Sequence, residues 1–94
     1  MEFEFDVVGW NWAQNPGKME EGALLRLQCE PSNPYDSNAV MVFTSSSNEF
    51  IGRVPASNSA SISKNITAGH YVFAKALSRR KARVVFTEKT TEEN

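Results

Sequence analysis

A chain of 94 residues, 40% hydrophobic and with a formal charge of −1, has room for one modest core and not for two. Its composition excludes wholesale disorder, no apolar run approaches the length of a membrane span, and no signal-peptide pattern opens the chain. Cys29 and His70 are the single residues of their types, so neither an internal disulfide nor a structural zinc site is expected, and a reducing, cytoplasmic setting fits best.

Met1 to Val8 alternates Phe3, Phe5 and Val7 with Glu2, Glu4 and Asp6, the period-two signature of a half-buried strand that Gly9 ends or bulges. Trp10-Asn11-Trp12 follows. Two tryptophans at i and i+2 in extended chain point the same way, either into the core or as one aromatic wall. Gln14-Asn15-Pro16-Gly17 is a loop, and Ala23–Glu30 is a second strand with Leu25, Leu27 and Cys29 on one face.

Glu30-Pro31-Ser32-Asn33-Pro34-Tyr35-Asp36-Ser37-Asn38-Ala39 reads as a stiff, turn-rich loop. Each proline fixes its own φ and holds the preceding residue, Glu30 or Asn33, out of the helical region. Asp36 and Asn38 suit Asx-type turns, whereas an aromatic ring at Tyr35 must either plug a gap or meet a ligand. Glu30 is placed to brace the loop by accepting hydrogen bonds.

Beyond the loop, Ala39–Thr44 predicts a central strand buried on both sides, Ser45–Asn48 a hairpin turn and Phe50–Val54 a fourth strand. Pro55 stops that strand. Ser57 and Ser59 are candidate caps for a helix to about Ala68, with Ile62 and Ile66 on one face and Gly69 as its stop. Tyr71–Leu77 and Ala82–Thr87 complete six strands, joined through Ser78-Arg79-Arg80-Lys81. The expected fold is mainly β, a small OB-like barrel of about six strands with one short helix. Residues 1–89 form the single domain and 90–94 a frayed polar tail.

The loop motif, followed about a dozen residues later by Ile51-Gly52-Arg53-Val54-Pro55, resembles the HIRAN domain family over about Phe3 to Gly69. The family has such a barrel. Some members capture single-stranded DNA at its 3′ end, in DNA repair or replication-fork processing and often beside a helicase or nuclease. Carried over by position, the resemblance implies that Tyr35 and Asp36 meet the terminal nucleotide and that Trp12, with Trp10 as neighbour, stacks on a base. Asn33 and Asn38 then hold the loop, and Arg53 meets a phosphate. Two positions depart from the DNA-binding members: Asn11 replaces a basic residue, and Pro55-Ala56 stands where they place lysine.

The charge is unevenly distributed. Residues 1–50 carry eight acids against Lys18 and Arg26, a net of −6, and residues 51–94 carry +5. Lys75 and the cluster Arg79, Arg80, Lys81 and Arg83 form either a second set of phosphate contacts or a solvated hairpin tip. Asp36 alternatively caps its own turn, Tyr35 packs over the barrel end, and Arg53 pairs with an N-terminal acid such as Glu4 or Asp6. No nucleophile–base pair, converging carboxylates or phosphate loop is present, so the chain reads as a binding domain and not an enzyme, with no cofactor. A protein-interaction adaptor that kept the barrel and lost its DNA site is the alternative.

Overall fold

The alternation in the first strand, β1 (Glu2–Asp6), buries Phe5 and half-buries Phe3 while its acids face solvent. The same period recurs in β2 (Leu24–Cys29), β3 (Val40–Thr44) and β6 (Lys81–Thr87), whereas β4 (Phe50–Arg53), whose register shifts against β3, and the outer half of β5 (Tyr71–Ala76) break it; one helix, α1 (Ala56–Thr67), lies between β4 and β5. The structure, a computed structural model, describes residues 1–9 and 19–88. All six strands join one antiparallel sheet in the order β1-β6-β5-β2-β3-β4. Among the described residues no helix is long and apolar enough to cross a membrane.

The sheet curls until its two edges meet. Val8, just beyond β1, exchanges two backbone hydrogen bonds with Arg53 at the end of β4, Val8 N–H to Arg53 O at 2.8 Å and Arg53 N–H to Val8 O at 2.7 Å. Among the described residues that one bridge closes the curl. Between β2 and β5 the ladder is short: they pair at Leu24–Lys75 and Leu25–Ala74, and Ala76 continues the contact by donating to Ala23 O and accepting from Gly22 N–H, each at 2.8 Å. Inside lie Phe5, Val7, Met19, Leu25, Val40, Val42, Ile51, Val84 and Phe86, and α1 contributes Ile62. No buried side-chain nitrogen or oxygen among the described residues lacks a partner.

Two details differ from the sequence expectation. β3 is buried on one face only: Val40, Val42 and Thr44 point inward, whereas Met41 and Phe43 are half-buried on the outer face. There Phe43 is covered by Phe50 and by the Arg26 guanidinium, so apolar character served side-chain cover and not a second core. Neither Ser57 nor Ser59 caps the helix; the N-cap is Pro55, in extended geometry and without a side-chain cap bond. Proline is pre-set for that entry, which releases Ser59, one turn in, to face the interior. Gly69 is the expected stop. At φ 85° it donates to Ile66 O at 3.0 Å while His70 N–H reaches Asn65 O at 3.4 Å, a Schellman closure.

With no cap bond and no acid in its first turn, α1 depends on what it packs against. Ile62 is fully buried in the common core. Ile62→Ala is therefore expected to destabilise the domain by about 2–5 kcal/mol, read as a fall in the urea midpoint, a large share of the stability of so small a domain.

Candidate functional site

The stiff loop between β2 and β3 is held by its own polar groups. Glu30 N–H donates to Ala39 O at 2.8 Å, Asn33 N–H to Glu30 O at 3.0 Å and Ala39 N–H to Asp36 O at 3.0 Å, so two turns close back on the strand ends. Asn33 Oδ1 accepts from the backbone N–H groups of Tyr35 (2.8 Å) and Asp36 (3.0 Å). Asp36 Oδ1 accepts from Asn38 N–H at 2.9 Å, which realises the Asx turn. Its other oxygen accepts the Ser59 hydroxyl at 3.0 Å. Ser59 is 2% exposed, so α1 fixes the carboxylate from below.

The loop is tied to the sheet by one ion pair. Arg53 donates from Nε to Glu30 Oε1 at 2.9 Å and from Nη2 to Glu30 Oε2 at 3.1 Å, a bidentate fork between β4 and the end of β2. Asn33 Nδ2 adds a third donor to Glu30 Oε1 at 3.2 Å. The Arg53 hydrogen bonds hold the Glu30 carboxyl below the usual carboxylate range against an opposing effect of burial, and Glu30 in turn raises Arg53.

These groups line an open cleft of about 730 Å³. Asn33, Tyr35, Asp36 and Arg53, four of the residues singled out in the sequence, meet there with Glu30 and the apolar Val8 and Val54. Tyr35 does not plug the barrel: it is 94% exposed. Glu30 and Asp36 outnumber Arg53, so the cleft carries one net negative charge among these side chains. The arrangement offers an aromatic face beside a fixed carboxylate, which suits a planar group followed by a hydrogen-bond donor. Among the described residues no group of three His, Cys, Asp or Glu side chains converges as for a metal ion.

Trp10, Asn11 and Trp12 fall outside the described residues; Gly9, immediately before them, lines the cleft. Arg79, Arg80, Lys81 and Arg83 do not line it. Arg83 meets Glu4 at 2.6 Å and Glu2 at 3.1 Å, and Lys81 meets Asp6 at 3.3 Å, so the N-terminal acids expected as partners for Arg53 pair with β6 instead. Sequence reasoning missed Ser59, read only as a cap. Its one signal was position, since a residue four after Pro55 faces back across the first turn.

The HIRAN domain family model matches residues 1–93. The chain is similar to the crystal structure of the HIRAN domain of human HLTF, with a TM-score of 0.80 and 16% identity, over 90% of this chain and 74% of that one. It is also similar to a protein from Lactobacillus plantarum, with a TM-score of 0.69 and 17% identity, over 89% of this chain and 98% of the other. No curated protein matches. At these identities the two structures establish the fold.

The Glu30–Arg53 pair makes an acid-side prediction. Because the folded carboxyl titrates below its unfolded value, its stabilisation is complete above the ordinary glutamate value and is lost as pH falls through the depressed one. Thermal midpoints measured across that acid window should fall less steeply for Glu30→Gln than for the unmodified protein.

Proposed function

The chain belongs to the HIRAN domain family, and we propose that it binds single-stranded DNA at a 3′-hydroxyl end, with no catalysis of its own. One observation carries this reading: the cleft sets a fully exposed Tyr35 ring beside an Asp36 carboxylate oriented by Asn38 and Ser59. A terminal base stacks on the ring, a contact worth about 1–3 kcal/mol whatever the base. The terminal 3′-hydroxyl donates to Asp36. A phosphate at that point, as in a continuing strand, meets a like charge.

Arg53 takes the phosphate on the 5′ side through Nη1, the guanidinium nitrogen that the Glu30 fork does not use. Trp12, with Trp10 beside it, supplies the second stacking surface. Asn33 holds the loop that presents Tyr35 and Asp36. Such a domain serves DNA repair or replication-fork processing in the cytoplasm, beside a helicase or nuclease that does the chemistry.

The second reading, a protein-interaction adaptor, is favoured by the negative balance of the cleft and by Asn11 and Ala56 in place of basic residues. Tryptophan fluorescence separates the two. Short single strands quench it at low salt if the cleft binds DNA, and absence of quenching at both low and moderate salt leaves the adaptor. Trp12→Ala should weaken binding and leave the fold intact; a collapse of the fold would return Trp12 to the core.

The end-reading itself is tested by oligonucleotides with free and phosphorylated 3′ ends. A hydrogen bond to a charged group corresponds to about tenfold or more in affinity, so the free end should bind about tenfold more tightly. Asp36→Asn should remove most of that ratio. Equal affinities for the two ends in the unmodified protein would eliminate this mechanism.

A further inference from the structure

The outer face of β2, β3 and β4 carries a row that begins at the cleft. Register places Arg26 opposite Phe43, and Phe43 opposite Phe50, on the outer face; Val42 and Ile51 are buried on the inner one. The two rings meet edge to face, with centroids 5.7 Å apart. Each is capped by a guanidinium: Arg53 lies 5.2 Å from the Phe50 centroid and Arg26 lies 4.2 Å from that of Phe43.

Arg26 is held flat. Phe43 supports it from beneath, Nη1 donates to Gln28 Oε1 at 2.8 Å and Nη2 to Asn48 Oδ1 at 2.5 Å. Asn48 sits at φ 58°, a left-handed position that asparagine tolerates better than most residues, and the hairpin turn thereby delivers its side chain to Arg26. Both partners are neutral amides. Arg53, Lys81 and Arg83 each meet a carboxylate, but among the described residues none lies within ion-pair distance of Arg26. Its side chain is exposed, so a planar and uncompensated cation faces solvent.

We propose that this face is the track for the nucleotides on the 5′ side of the end-reading cleft, with Arg26 as its far stacking platform and phosphate contact. The inference rests on the 3′-end reading and extends it to the strand behind the end. Two features select this occupant. The row is continuous with the cleft through Arg53, and its two guanidinium planes match a ligand that alternates flat bases with negative charge. From β4 to β2 is two strand spacings, about 10 Å. At about 3.4 Å per stacked nucleotide, that accommodates about three.

Oligothymidylates of two and six nucleotides with free 3′ ends test the track. The unmodified protein should bind the longer strand more tightly. Arg26→Ala should lower affinity for the longer strand about tenfold, within the range of one stacking contact, and leave the dinucleotide unchanged. Its salt dependence should flatten by about 0.7 in the log–log slope, one phosphate contact on a single strand. Arg26→Lys should restore the slope without the full affinity, because an ammonium has charge but no plane.

Equal losses at both lengths, or no loss at either, would overturn the track; in the second case the face is left to another partner such as an acidic peptide. If the unmodified protein binds the dinucleotide and gains nothing from four more residues, the track fails and the end-reading survives. If it binds neither, both fall.

Discussion

Glu30 directly follows β2 and Arg53 ends β4, and the fork between them joins three parts of the molecule. Through its backbone Arg53 bridges Val8 and closes the curled sheet. Through its side chain it anchors the β2–β3 loop by Glu30 and covers the ring of Phe50. The two side chains remain a quarter and a third exposed, so water softens their attraction, and the bidentate geometry supplies direction more than energy. Without Arg53, Glu30 keeps only the Asn33 amide as a side-chain donor, and without Glu30 the Arg53 guanidinium keeps its place over Phe50 but loses its carboxylate. Loop shape, barrel closure and the electrostatic balance of the cleft therefore change together.

That coupling explains how an acidic cleft remains a credible nucleic-acid site. A general clamp gathers cations, and here the one cation lining the cleft among the described residues is already committed to a carboxylate. What remains is a carboxylate oriented from two sides, beside a ring that is 94% exposed. On the proposed end-reading, such a site offers little affinity to a continuous backbone and discriminates how a strand terminates.

Most of the strands were legible because their periodicity is local. Phe3, Phe5 and Val7 against Glu2, Glu4 and Asp6, or Leu25 and Leu27 against Arg26 and Gln28, need no knowledge of the rest of the chain. The Asx turn at Asp36 is local for the same reason. What stayed hidden is non-local. The partner of Arg53 is 23 residues away and that of Arg83 is 79. The +5 of the second half was a sound count of formal charges, yet β1 lies against β6, so Glu4 faces Arg83 and Asp6 faces Lys81 across the ladder. Ser59 was misread because a serine near a helix start is usually a cap, and here Pro55 had taken that place. Met19, fully buried, gave no signal at all in a polar stretch.

The β1–β6 ladder has a consequence for synthesis. Of the six described strands, the earliest in the chain pairs with the latest: Phe3 lies opposite Val84, and Met1 and Phe86 exchange hydrogen bonds. At about 5–20 residues per second, β1 waits roughly 4–16 s for its partner to be translated. During that interval Phe3, Phe5 and Val7 are an apolar strand without a sheet, the kind of segment on which nascent chains aggregate. The alternating Glu2, Glu4 and Asp6 repel a second copy of the same strand throughout the wait. The acids that pair with Arg83 and Lys81 in the fold thus keep the strand charged before β6 is made.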